Sequence, residues 1–393
     1  MVQQRVRRPA LLAHGSPFLF VILLGLVSLF GDVVYEGARS ISGPYLASMG
    51  ATATTIGLIA GFGELIGYAL RLVSGRLTDK TKQYWPIIFV GYALNLLPIP
   101  ALALATNWLG AAALMVAERV GKAVRAPARD LVLSDAAYGM GTGTAFGLHQ
   151  ALDQIGAIMG PLLVAAILVS THSFQMAFAV MLVPSLLALI VLMVARDNCV
   201  PHHVEDEVGS QKLSKTFWIY TAGMALLAAG YVDFPLIAYH MYKELHIASS
   251  MVPIYYSGAM AMEAIVSYPL GRLFDRVGLP VVVGVACVSI FATPLAFSSS
   301  SWSLIVGILV WGTGMAAQNS IAKAAISKFV AHNERGNAFG VYGTTYGVAW
   351  FFGSALMGFL YDHNLAYMVA FSIFVQLAAL PVLLYVAKLT VKR

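Results

Sequence analysis

The chain has 393 residues, of which 59% are hydrophobic and only 11% charged, with a formal net charge of +6 at pH 7. Soluble domains carry about 25% charged residues, so the composition excludes a soluble globular fold, and the basic excess falls in short segments between apolar runs rather than on a nucleic-acid-binding face. The two cysteines, Cys199 in a polar stretch and Cys287 in an apolar one, supply neither a disulfide framework nor a thiolate metal site.

Arg5, Arg7 and Arg8 precede the first apolar run, 18–40, in the manner of a signal peptide. No small-residue cleavage site follows, and the run carries Asp32, Glu36 and Arg39, so it is expected to be retained as a first span. At about 100° per residue these three side chains fall on one helical face. Each charge at a bilayer centre costs roughly 2.5–3.5 kcal/mol, so the stripe must face other helices or a water-filled cavity. Two carboxylates one turn apart in a low dielectric cannot both ionise cheaply, which makes Asp32 and Glu36 candidates for proton exchange.

The second run, 51–74, holds Glu64 at mid-span, as a cavity residue or a partner of the first span, and Arg71 near its end, where it can snorkel. A basic loop, 75–82, is expected next, then a third run, 85–106. The fourth, 108–128, places Glu118, Lys122, Arg125 and Arg129 in one stripe with Arg119 about 100° away. Glu118 and Lys122 are spaced to neutralise each other, and Pro127 is expected to end the buried part of the helix. The fifth run, 143–170, puts His149 and Asp153 on the face of Gly156 and Gly160, glycines that permit close helix approach. That His–Asp pair suits a proton relay, two ligands for a divalent metal, or a plain structural hydrogen bond. A sixth run, 174–195, precedes the one long polar stretch, 196–215.

The second half repeats the plan with runs near 216–240, 250–271, 280–299, 302–327, 337–360 and 365–388. Its polar load is lighter: Asp233 and His240 in the seventh run, Glu263 in the eighth, Gln318, Asn319 and Lys323 in the tenth. Aromatics such as Tyr231, Tyr256, Tyr346 and Trp350 could line an amphipathic cavity. Twelve runs of spanning length predict an all-α membrane protein of two pseudo-symmetric six-helix bundles, 1–195 and 216–393, joined by the linker 196–215. Lys and Arg gather at the N-terminus, in 75–82, in the linker, in 271–279, in 328–335 and at Lys392–Arg393, whereas the opposite loops carry only Lys243. By the positive-inside rule both termini are expected to be cytoplasmic.

The halves also share motifs. GRLTDKTK (75–82) matches GRLFDRVG (271–278), each closing the second run of its half, and GTAFGLHQ (143–150) matches GNAFGVYG (336–343), each opening the fifth. Gly75, Leu77, Asp79 and Lys80, with Gly271, Leu273, Asp275, Arg276 and Gly278, resemble the loop signature of the major facilitator superfamily, with Lys82 standing at the usual glycine of the first copy. ERVGKAVR (118–125) is similar to that family's fourth-span signature, and Gly156, Gly160 and Pro161 to the first part of its antiporter signature, without the trailing glycine pair. The resemblance covers essentially the whole chain. It implies a secondary transporter rocking around a midplane site, with Gly75, Asp79, Arg119, Arg125, Gly271, Asp275 and Arg276 in gating and usually a monomeric state.

The leading expectation is proton-coupled export of an amphipathic or cationic compound across a bacterial inner membrane. Asp32, Glu36, Arg39, Glu64, His149, Asp153, Asp233 and Glu263 are the proton-coupling or substrate residues in that reading. Alternatives are a metal path through Asp32, Glu36, His149 and Asp153, or an organic-anion path through Arg39, Arg119 and Arg125. No HExxH, GxSxG or Walker-type segment is present, so the reading includes neither an enzyme nor a cofactor.

Overall fold

A computed structural model describes residues 17–137, 142–198, 213–322, 325–326, 330 and 335–391. Among them the chain is helical throughout and forms twelve rods. The first six are α1 (Pro17–Ser48), α2 (Ala53–Thr81), α3 (Tyr84–Leu104), α4 (Trp108–Ala137), α5 (Thr142–Thr171) and α6 (Phe174–Asp197). The second six are α7 (Lys215–Lys243), α8 (Val252–Val277), α9 (Pro280–Ala296), α10 (Ser301–Ala316), α11 (Arg335–His363) and α12 (Leu365–Val391). Eight helices among the described residues are long and apolar enough to cross a membrane. Among the rest, α4 is the one most interrupted by charge, from Glu118 to Asp130.

Hydroxyl caps start several rods: Thr52, Ser173 and Ser214 each accept a hydrogen bond from the backbone N–H three residues on, at α2, α6 and α7. Buried apolar residues fall into two cores, one drawn from 20–195, the other from 217–387 with Ala53 and Ala157 added at the seam. Within the first half α1 packs on α5 and α6, and α4 on α2 and α3; within the second, α7 packs on α11 and α12, and α8 on α10. The three most extensive contacts between the halves are α2 with α11, α5 with α8, and α1 with the second part of α7. The first two exchange when one half is mapped onto the other, as the internal repeat predicts.

Four sequence expectations shift. The segments 75–81 and 271–277 are helical rather than looped, and the turns come after them, at Lys82 (φ 53°) and Gly278 (φ 79°). Both motif copies thus leave the helix through a positive φ at the same motif position, which accounts for a glycine in the pattern. Helix α1 runs to Ser48, past the expected end near 40. The buried part of α4 does not end at Pro127: Ala128, Val132 and Leu133 beyond it are buried, and the helix continues to Ala137. Helix α7 is broken at 231–233, where Pro235 at the start of its second part has no N–H to offer and Asp233 takes the N-cap position.

Candidate functional site

The sequence stripe on α1 becomes the axis of a charge layer at mid-bundle. Arg39 Nη2 lies 3.5 Å from Glu64 Oε1 on α2 and 3.8 Å from Asp233 Oδ1 at the α7 break. Arg119 on α4 takes the same Glu64 oxygen at 3.0 Å and approaches Glu118 at 3.4 Å. Tyr35 ties the layer together: its hydroxyl accepts from Arg39 at 3.2 Å and from Arg119, while the Lys122 ammonium sits 3.5 Å from its ring centroid. Asp233 also accepts a hydrogen bond from Ser354 of α11, so the layer reaches into the second half. Charges this far from water need such partners, because an unpaired one carries the full desolvation penalty.

Tyr35, Arg39 and Arg119 line two cavities, and so form the partition between them. The smaller, about 50 Å³, lies towards the end bearing the neutral loops, among Leu46, Ile56, Ile99 and Leu102. The larger, about 290 Å³, extends towards the basic end, where Arg129, Asp130 and Gln150 stand at its mouth. At the neutral end the halves are sealed backbone to backbone. A Cβ on Gly43 of α1 would meet the Pro235 carbonyl oxygen at 2.1 Å, and one on Gly57 of α2 would meet that of Ser354 at 2.3 Å. Beside them Asp362, at the end of α11, accepts from the N–H groups of Ala53 (3.0 Å) and Thr54 (2.8 Å) and from the Thr54 hydroxyl (2.6 Å). A carboxylate from one half thereby caps the N-terminus of a helix in the other.

The larger cavity has walls of opposite sign. Asp32 and Glu36 (α1), Asp153 (α5) and Glu263 (α8) face Arg71 (α2) with Lys122 and Arg125 (α4). Among the described residues none of these seven has an ion-pair partner within 4.0 Å. Their contacts are neutral instead. Glu36 accepts from the Tyr256 hydroxyl across the seam at 2.5 Å, Asp153 accepts from Ser28, and Glu263 accepts from the Asn319 amide at 2.8 Å. Arg125 donates to Asn95 Oδ1 at 3.0 Å and lies over the Tyr92 ring, and the Asn95 amide donates to Glu118 at 2.7 Å. Asn319 and Gln318 stand on a π turn, Ala317–Ile321, that continues α10. The wider turn carries them to Glu263 and Tyr346.

Most of the sequence candidates converge here, with some reassignments. Glu64 is both a partner of the first span, through Arg39, and part of the lining of the larger cavity. Glu118 does not pair with Lys122; its carboxylate meets Asn95 and Arg119. The expected His149–Asp153 pair is not joined: Asp153 turns to α1, and among the described residues the buried His149 Nε2 has no hydrogen-bond partner. Gly156 and Gly160 do bring α5 onto the α1 backbone, at Leu29 and Val33. No three His, Cys, Asp or Glu side chains among the described residues assemble a metal site, so the set Asp32, Glu36, His149 and Asp153 is not brought together as ligands. Arg119 and Arg125, expected in a gate with the Asp79 loop, stand at mid-helix on Glu64 and Asn95. A Cβ on Gly75 would lie 3.8 Å from Pro127, one on Gly271 would meet nothing within 4 Å, and Asp275 and Arg276 are exposed. The Asp79 side chain, Cys199 and Lys323 lie outside the described residues.

Three contributors escaped the sequence reading. Tyr35 is a neutral side chain flanked by charged ones, and Asn95 is a lone amide inside an otherwise apolar run, a readable signal. Asp362 sits in a neutral-end turn, where only the fold shows that it faces α2.

The profile of the Major Facilitator Superfamily matches residues 21–234 and again 219–393. An uncharacterized protein of Mycobacterium tuberculosis (strain ATCC 25618 / H37Rv) is 38% identical over 384 residues, covering 95% of this chain and 93% of the relative. An uncharacterized MFS-type transporter of Methanocaldococcus jannaschii is 26% identical over 351 residues, 87% and 88% of the two chains. Among solved structures, the nucleoside transporter NupG superposes with a TM-score of 0.71 at 14% identity over 93% of this chain and 98% of that one. The peptide transporter POT in complex with sulfate gives 0.75 at 14% over 95% and 94%.

Proposed function

The chain belongs to the Major Facilitator Superfamily, and we propose that it is a proton-coupled exporter of a small amphipathic solute, working by alternating access. As a member of that family it is an integral membrane transporter; coupling, direction and solute are the proposal. The observation that carries it is a polar cavity sealed at one end and lined by acids, Asp32 and Glu36 foremost, that have no ion-pair partner within 4.0 Å among the described residues. A buried acid held by a hydroxyl can gain and lose a proton without stranding a positive charge, and intramembrane acids default to function. Glu36 is tied across the seam to Tyr256. Its protonation weakens that bond between halves, and so biases the two-state equilibrium that moves the solute.

The basic end is assigned to the cytoplasm on loop charge, which makes this conformation the inward-facing one. The membrane is then a bacterial plasma membrane, in keeping with the mycobacterial relatives. The partial antiporter signature supports export, although in this fold its glycines also seat α5 on α1. The organic-anion alternative loses two of its three arginines, since Arg39 and Arg119 are both engaged by Glu64.

The test is proton movement in proteoliposomes loaded with a pH-sensitive dye, screening amphipathic amines, organic acids and zwitterions, with Asp32→Asn and Glu36→Gln alongside. A solute-triggered proton flux that both variants lose is expected. Solute transport that persists in both with no proton movement sinks the coupling.

A further inference from the structure

The charge layer consumes Arg39, Glu64, Arg119 and Asp233 among themselves. Among the charged groups that still face the larger cavity, two acids and two cations stand on different helices. Asp153 and Glu263 belong to α5 and α8, which touch each other across the seam. Lys122 and Arg125 belong to α4, which packs mainly on α2 and α3 and also touches α1 and α5. Arg125 is 2% exposed and its Nη1 has no hydrogen-bond partner among the described residues. A buried guanidinium nitrogen left without an acceptor is costly, and an anionic group supplied by a ligand would satisfy it. Asp153 and Glu263 accept from a serine hydroxyl and an amide and, among the described residues, have no ion-pair partner within 4.0 Å, so each retains room for a cationic donor.

A singly charged ligand would answer one wall and leave the other bare. Aromatic and apolar side chains share the lining of this polar cavity: Tyr346 stands 5.4 Å from the Tyr68 ring and 5.5 Å from Trp350, and Met260 and Met315 also line it. Its volume, about 290 Å³, matches the lower end of small-molecule pockets, roughly 300–1,000 Å³. We propose that the larger cavity is a binding site for a small zwitterion, a solute with a carboxylate or comparable anion seated on Lys122 and Arg125, an ammonium seated between Asp153 and Glu263, and an apolar or aromatic body against Tyr346 and Trp350. This deepens the transporter reading and rests on it, with Asp32 and Glu36 left to the proton.

Matched probes separate charge from body. The full-length protein in nanodiscs is titrated with L-phenylalanine, phenethylamine and 3-phenylpropionate, and with the corresponding indole and branched-aliphatic sets, following thermal stabilisation. Stabilisation by one or more zwitterions, at least tenfold tighter than by the amine or acid sharing the same body, is the expected result. Lys122→Gln should remove that preference over the amine while leaving the amine's own weak affinity unchanged. Asp153→Asn should do the converse for the acid, and the two variants together guard against one that fails to fold. A singly charged probe that binds as well as its zwitterion overturns the site, as does stabilisation by no zwitterion in the panel. Counterflow of the tightest ligand in proteoliposomes then keeps the two readings apart. Binding without counterflow sinks the transporter reading and leaves the site, whereas counterflow of an amine or acid alone sinks the site and leaves the transporter.

Discussion

The two halves bring opposite means of keeping a carboxylate inside a membrane to one cavity. In the first half Glu64 lies between two guanidiniums, Arg39 and Arg119, with Tyr35 bonded to both. In the second, Glu263 accepts from the neutral Asn319 amide, and aromatic rings surround the approach. The first arrangement fixes a charge, since removing it strands two cations. The second leaves the charge free to vary, because nothing opposite depends on it. Glu64 is thus fixed in a charge layer that Asp233 of the second half completes, whereas Glu263, like Asp32, Glu36 and Asp153 of the first half, stands without an ion pair among the described residues.

Neutralising the two acids is the largest way to break this contrast. Glu64→Gln leaves Arg39 and Arg119 buried without their common partner, and breaking a buried pair costs roughly 3–5 kcal/mol. Glu263→Gln exchanges one hydrogen-bond acceptor for another beside Asn319, and should stay within about 1 kcal/mol. Thermal unfolding of both variants in one detergent reads the difference. Removing a cation as well, in Glu64→Gln with Arg39→Gln, should recover part of the loss. Equal destabilisation by Glu64→Gln and Glu263→Gln would erase the distinction between the halves.

The contrast also marks how far sequence carries. All twelve helices were legible from apolar runs of spanning length, and the repeat was legible from matching motifs. The charged residues were correctly gathered on inward faces, because the insertion cost admits nothing else. Their pairing was not legible. Helical spacing joins Glu118 to Lys122 and His149 to Asp153, yet Asn95 and Arg119 take Glu118, and Ser28 takes Asp153. Neighbours on other helices sit closer than neighbours one turn away, and a one-dimensional pattern does not contain them. Asp233 shows the same limit: its reach to Arg39 depends on a break in α7 that the Pro235 signal hinted at without fixing where the side chain would go.

The seal at the neutral end differs from both walls in being local and removable. Asp362→Ala deletes one carboxylate and three hydrogen bonds without touching the charge layer. Since hydrogen bonds to charged groups contribute about 1.5–3 kcal/mol, a net loss of about 2 kcal/mol should shift the equilibrium towards opening at this end by about 30-fold. A cysteine replacing Ala60, which lines the small cavity, in a background free of other cysteines reports it as faster labelling by an impermeant thiol reagent. Gly43→Ala should act in the same direction through its clash with the Pro235 carbonyl. Labelling unchanged in both variants would mean that the seal is held elsewhere, and that α2–α11 and α1–α7 are not its seat.

The finest comparison lies at the two motif ends. Lys82 leaves α2 at φ 53°, ψ 20°, a left-handed conformation that costs an L-residue about 1–2 kcal/mol. Gly278 leaves α8 at φ 79°, ψ −145°, a region open essentially to glycine alone. The same motif position is thus strained in one half and relaxed in the other, and the swap is asymmetric. Gly278→Lys should destabilise by about 1–3 kcal/mol, since no side chain fits that ψ. Lys82→Gly should stabilise by less than about 1 kcal/mol, because relief of the left-handed strain is offset by the extra freedom that glycine gives the unfolded chain. Paired melting curves at one pH decide it. Should both substitutions prove neutral, the turns at the two ends relax into one another's geometry, and the motif glycine is set by neighbours rather than by backbone conformation.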